Sequence, residues 1–140
     1  MSVYLDASIL VSFFVTDSMS QRADALVRGV SAPLVVSDFA TAEFASALGR
    51  RVRMGRIGRD DARGTLVDLD AWISRAANAV GVEAADIARA ATFLRRLDMN
   101  LRTPDAIHIA TAQRLDAELA TFDERMADNA RALGARVRAD

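Results

Sequence analysis

Three features of this sequence predict an α/β fold, a three-layer sandwich in which a short parallel sheet is flanked by helices. Short apolar runs closed by polar residues, 3–5 before Asp6 and 34–36 before Ser37 and Asp38, read as buried strands. Helical stretches separate them, and twenty-eight alanines favour both helix formation and close helix packing. Strands that alternate with helices pair in parallel through right-handed crossovers, which puts helices on both faces of the sheet.

In chain order, the first strand is 3–5 and the first helix 8–14, followed by a helix over 18–28 and the second strand at 34–36. Long helices follow at 39–53 and 60–77, separated by the Gly55 and Gly58 turn as a helical hairpin. Gly81 breaks the chain before a helix over 84–97, and 104–117 forms the next. A less apolar strand is expected at 118–121, a helix at 124–133, and a weak terminal strand at 136–138 around Val137. No linker, repeat or low-complexity segment interrupts this order, so the expectation is one domain over 1–140.

Composition removes many chemistries. The chain has no Cys, so disulfides, thiolate nucleophiles and Cys-ligated metals are excluded, and a reducing cytoplasm fits. All eighteen basic residues are Arg, so no P-loop or Schiff-base lysine exists. The single histidine, His108, rules out two-histidine zinc sites. A formal charge of -1 shows no global attraction to polyanions. The apolar run 9–15 is interrupted by Ser12, and neither a signal peptide nor a membrane span fits. Chemistry therefore falls to carboxylates.

Most acids read as solvated helix faces or dipole-compensating ends, among them Asp60, Asp61, Asp68, Asp70, Glu83, Asp86, Asp116, Glu118 and Asp128. Four others stand apart. Asp6 ends the first strand in an uncharged stretch, where it could also cap the next helix. Glu43 is the only ionisable residue between Asp38 and Arg50, on a helix face of small uncharged side chains, with no local Arg partner. Asp105 follows Thr103, a capping residue, and Pro104, which suits a first helical position. Asp123 opens the last helix.

Strand ends and helix starts of a parallel sheet converge on its carboxyl edge, where ligands bind. Four carboxylates gathered there repel one another unless a divalent cation lies between them, and oxygen-only ligands select Mg²⁺ or Mn²⁺. Such a cluster suits metal-assisted phosphodiester hydrolysis.

The blocks Tyr4-Leu-Asp-Ala-Ser-Ile-Leu-Val11, Ser37-Asp-Phe-Ala-Thr-Ala-Glu43, Thr103-Pro-Asp-Ala-Ile-His-Ile-Ala-Thr-Ala112 and Ala120-Thr-Phe-Asp123 resemble, in order and spacing, the motifs of PIN domains, specifically VapC-type toxin ribonucleases. The resemblance covers essentially the whole chain. It implies a Mg²⁺- or Mn²⁺-dependent endoribonuclease of the cytoplasm, acting on RNA as the toxin of a toxin–antitoxin pair. It further implies a homodimer and a cognate antitoxin whose C-terminal segment covers the cleft. By matching position, the family's metal-binding acids fall on Asp6, Glu43, Asp105 and Asp123, and its accompanying hydroxyls on Ser8 and Thr121.

Rival readings have distinct signatures. An aspartate-nucleophile phosphatase needs a second Asp two residues after Asp6 and a Lys for phosphate; Ser8 and the absence of Lys reject it. A non-catalytic PIN-like scaffold would be expected to have lost at least one of the four acids. A housekeeping PIN nuclease of RNA processing or one directed at DNA keeps the chemistry and changes the biology.

Three other features carry expectations. The segment 50–63 holds six arginines against two aspartates, and Arg51, Arg53 and Arg56 are candidates to grip RNA phosphates; the alternative is a solvated turn or an antitoxin surface. His108, one turn after Asp105, could serve as a proton relay or phosphate contact at the cleft edge, but the expected reading is a packed histidine satisfied by backbone. The opening helix is apolar nearly all round and, with the next helix, is expected to offer a groove to an antitoxin helix, while Trp72 reads as core or dimer contact.

Overall fold

The computed structural model describes residues 1–138, so the expected domain 1–140 reaches two residues beyond it. Its elements in chain order are β1 (Val3–Leu5), α1 (Ala7–Phe14), α2 (Ser20–Gly29), β2 (Leu34–Ser37), α3 (Asp38–Arg53) and α4 (Arg59–Ala76). β3 (Asn78–Val80), α5 (Ala84–Leu94), α6 (Thr103–Arg114), β4 (Glu118–Ala120) and α7 (Glu124–Ala132) complete it. All strand pairs are parallel and the order across the sheet is β3-β2-β1-β4.

Alternation of side chains along the strands divides the core into two. Val3, Leu5, Leu34, Val36 and Ala120 face a layer containing Ile9, Leu10, Phe44, Leu48, Leu69 and Trp72 from α1, α3 and α4. Tyr4, Val35 and Leu119 face the other way, onto Phe93 of α5, Ile109 and its neighbours on α6, and Met126 and Ala130 of α7. Three layers result, as expected from the sequence. Trp72 belongs to this core, against Phe13 and Phe14 at ring separations of 5.4 and 5.7 Å.

The strand β3 is absent from the sequence reading, which continued directly from helix to Gly81. Three residues on an open edge, two of them exposed, carry no apolar signature; pairing to β2, Val35 to Asn78 and Ser37 to Val80, makes the strand. The expected terminal strand reduces to a single parallel bridge between Leu119 and Val137, held by two backbone bonds of 2.8 Å. Helices α5 and α6 also end earlier than expected, at Leu94 and Arg114. Leu97 and Asp116, just beyond these ends, adopt positive φ of 61° and 53°, which halts helical continuation. Among the described residues no helix is long and apolar enough to cross a membrane.

Candidate metal centre and nucleic-acid groove

Parallel pairing places the ends of β1, β2 and β4 on one edge of the sheet. Leu5 sits opposite Ala120, so Asp6 and Thr121 leave the sheet side by side, and the Asp6 amide donates to the Ala120 carbonyl at 3.2 Å. Asp6 caps α1, its Oδ1 accepting from the Ile9 amide at 3.2 Å and from the Ser8 hydroxyl at 2.6 Å. Ser8 Oγ in turn accepts from the Phe122 amide at 3.0 Å, which ties the start of α1 to the end of β4. Asp6 is only 4% exposed. Burial pushes its carboxyl above the usual range, although hydrogen bonds from Ser8 and Thr121, the neighbouring His108 ring and the Ile9 amide pull it down.

Asp105 lies in the first turn of α6, 5% exposed, and its Oδ2 accepts from the Arg102 amide at 3.4 Å. Asp123 caps α7 through the Met126 amide at 3.1 Å, while the Asp123 amide donates to Thr121 Oγ1 at 3.1 Å. Arg125 joins the two acids, with Nη2 at 3.1 Å from Asp105 and 3.5 Å from Asp123. Arg102 reaches the same pair at 3.7 and 4.0 Å. The capping roles anticipated as alternatives are thus real for Asp6 and Asp123. Capping uses one carboxylate oxygen and leaves the other.

Glu43 does not meet these acids directly. Its Oε1 is hydrogen-bonded to Nε2 of His108, on α6, and the Glu43 side chain is 31% exposed. The absence of a sequence-local Arg is therefore answered by a partner 65 residues away. His108 is packed, as expected, but its ring nitrogens are satisfied by side chains and not by backbone: Nδ1 lies 2.6 Å from the Tyr4 hydroxyl, itself 2.7 Å from Ser37 Oγ. Tyr4, Ser37, Arg102 and Arg125 were missed in the sequence. A tyrosine within an otherwise aliphatic strand was the available signal for the first.

Asp86 corrects the sequence reading more plainly. Grouped there with the solvated acids, it is 2% exposed and accepts from Arg114 Nε and Nη2 at 2.8 and 3.0 Å. Burial would raise its carboxyl, but the Arg114 bonds and the Glu83 amide outweigh this and hold it below the usual range. Packing of α5 on α6 creates the pair, and the 28-residue separation hides it from local inspection.

A groove of about 490 Å³ runs from Glu43 along the end of α3, lined by Arg50, Arg51, Arg53 and Arg56. The three arginines singled out in the sequence therefore share one surface with the fourth acid. Gly55, at φ 72°, makes the turn that presents Arg56.

Whether these residues suit a divalent ion follows from their donors. All four acids offer hard oxygens, the choice of Mg²⁺ or Mn²⁺, and a desolvated Asp6 gains from a nearby cation. As the side chains stand, no three Asp, Glu or His groups among the described residues are close enough to hold a metal together. Arg102 and Arg125 supply the positive charge at Asp105 and Asp123 instead. The donor chemistry fits a hard divalent ion.

A parallel sandwich with acids gathered at its carboxyl edge defines a class, and the chain belongs to the PIN domain family, whose sequence profile matches residues 3–132. It is 37% identical to Ribonuclease VapC46 of Mycobacterium tuberculosis (strain ATCC 25618 / H37Rv), an alignment covering 97% of this chain and 95% of that one. Its fold is similar to that of Mycobacterium tuberculosis VapC20, a Sarcin-Ricin loop cleaving toxin, at a TM-score of 0.74 and 18% identity over 95% of both chains. The crystal structure of DNA-bound VapBC from Salmonella typhimurium is similar at a TM-score of 0.71 and 13% identity, covering 99% of this chain and 97% of that one.

Proposed function

We propose that this protein is a metal-dependent endoribonuclease acting as the toxin of a toxin–antitoxin pair. The observation that carries the reading is the gathering of Asp6, Asp105 and Asp123 at the carboxyl edge of the sheet, linked by Arg125 and by the Ser8 and Thr121 hydroxyls, with Asp6 buried. Two buried acids and a partly exposed third at three element starts exceed what capping needs. Asp6, Glu43, Asp105 and Asp123 would hold Mg²⁺ or Mn²⁺, which when bound supplies the positive charge that activates water and stabilises the leaving oxygen. Full-length similarity to a protein named a ribonuclease, and to solved VapBC assemblies, supports the same reading.

The chain's own residues divide the work. Ser8 and Thr121 orient Asp6; Arg125 and Arg102 balance the charge of Asp105 and Asp123 until a cation replaces them. Arg51, Arg53 and Arg56 line the groove beside Glu43 and bind RNA phosphates, a sequence-independent contact. Partly buried Val11, Phe13, Phe14 and Val15 on and after α1 flank α2 and form the antitoxin's groove by helix-in-groove docking. The protein acts in the cytoplasm as a homodimer.

Cleavage of a mixed RNA substrate by purified protein tests the reading. Mg²⁺-dependent cleavage by the wild type, abolished by chelator and by Asp105→Asn, is the expected result. Cleavage that persists in Asp105→Asn would overturn it.

A further inference from the structure

The Tyr4–Ser37–His108–Glu43 network is a continuous run of side-chain hydrogen bonds that starts at the Ala40 amide of α3 and returns to Glu43 on the same helix. The Ala40 amide is solely a donor and reaches Ser37 Oγ at 3.0 Å. At the other end the Glu43 carboxylate oxygen faces His108 Nε2, and the Nε2–H tautomer makes that contact a hydrogen bond. In that tautomer Nδ1 accepts, and Tyr4 donates to it at 2.6 Å. Tyr4 oxygen accepts the Ser37 hydroxyl hydrogen at 2.7 Å, and Ser37 accepts from Ala40. The opposite tautomer would set an Nε2 lone pair against the carboxylate.

From this we infer that His108 is a positioning residue of the carboxylate site, its tautomer set by the Glu43 carboxylate and supported by the hydrogen-bond chain from the Ala40 amide through Ser37 and Tyr4, and its Nε2 hydrogen holding Glu43. The inference rests on the nuclease reading above. The chain begins and ends on α3: Ser37 caps that helix and Glu43 lies on it, with β1 and α6 contributing the two rings between. Glu43 is thereby set relative to its own helix start instead of sampling the rotamers open to a part-exposed Glu. Tyr4 and Phe39 meet the His108 ring at 5.6 and 5.1 Å and 64°, which prevents the ring from turning. Ser37 and Tyr4 are fully buried and His108 nearly so; burial also keeps the Tyr4 phenol protonated as a donor. With Oε1 committed to His108, Oε2 is left for the groove that Glu43 lines, at the boundary between the acids and the arginines. Partners that orient a metal-binding side chain in this way are worth about 10–100-fold in metal affinity.

His108 is the only histidine, so ¹⁵N NMR of tag-free protein reads its tautomer without assignment. The expected spectrum is that of the Nε2–H ring. Tyr4→Phe preserves shape and deletes the donor to Nδ1; it is expected to lose the single tautomer and to lower Mn²⁺ affinity by about tenfold in calorimetry, with kcat reduced and KM for RNA little changed. His108→Gln keeps an N–H near the Nε2 position and is expected to retain more Mn²⁺ affinity than His108→Phe, which has none. An Nδ1–H ring in the wild type overturns the inference even if neither variant folds. Normal wild-type Mn²⁺ binding with affinity unmoved by Tyr4→Phe and His108→Phe overturns the positioning role alone. A wild type that binds no Mn²⁺ overturns the nuclease reading and the positioning role with it.

Discussion

Nη2 of Arg125 stands 3.1 Å from Oδ2 of Asp105, an ion pair that joins the first turn of α7 to the first turn of α6. Asp105 is nearly buried, so the pair holds a charge that would otherwise lack compensation on that side. Arg125→Met keeps the aliphatic stem and removes the charge. The metal-free variant is expected to lose about 1–3 kcal/mol of stability. Competition at Asp105 and Asp123 also disappears, so Mn²⁺ should raise the melting temperature of the variant more than that of the wild type. Equal thermal shifts at saturating Mn²⁺ would show that Arg125 and the ion do not compete.

Asp6→Asn separates capping from charge. Asn caps a helix about as well as Asp, so the capping role by itself predicts no great destabilisation. Burial raises the Asp6 carboxyl above its ordinary value of 3.8 in the folded chain. Between that value and the folded one, the native state binds more protons than the unfolded state, so this group's contribution to stability falls as pH rises through the window. In chelator, Asp6→Asn is therefore expected to be as stable as wild type or more stable at neutral pH, with its advantage shrinking as pH falls through the window. RNA cleavage should drop by orders of magnitude, and adding Asp105→Asn should cost little more, because residues that act as a unit are not additive. Thermal melts from pH 4 to 8 together with a cleavage assay check both halves.

The groove beside Glu43 makes a prediction about salt. Replacing Arg51, Arg53 and Arg56 with Ala should weaken binding to RNAs of any sequence, and the slope of log affinity against log salt should flatten by about two units for three lost phosphate contacts to single-stranded RNA. Fluorescence anisotropy at several salt concentrations measures it. An unchanged slope removes RNA from this surface.

For the pair between Asp86 and Arg114, Asp86→Ala leaves a partly buried guanidinium without its main partner. The expected loss is about 3 kcal/mol, at the lower end for a broken buried pair because Arg114 remains partly exposed. With the Asp86 carboxyl held below its ordinary value, the contribution of the pair is complete above about pH 4 and is lost as pH falls through the folded value. Wild type and variant melts should therefore approach each other under acid conditions, while cleavage at neutral pH and low temperature is retained.

Hydrogen exchange addresses the apolar opening. With the cognate antitoxin bound, amides over 9–28 are expected to gain protection, since a docked helix would cover the partly buried side chains of α1 and α2. No added protection there would move the antitoxin surface elsewhere.

The sequence by itself determined the two central strands, the succession of helices, the parallel three-layer arrangement and the acids at the element starts. Each is a local property: Val3–Leu5 and Leu34–Ser37 are apolar runs with polar ends, and Pro104 followed by Asp105 is a helix start within a few residues. Tertiary structure decided what no window contains. Asn78–Val80 is a strand only because β2 offers it an edge. Asp86 is buried only because α6 brings Arg114 across 28 residues. Glu43 turned to His108, and His108 to Tyr4 across 104 residues, because the sheet and α3 closed around the ring. Charge pairing and hydrogen-bond direction depend on distances between elements, and those distances are fixed by packing of the core, which fills volume without regard to separation along the chain.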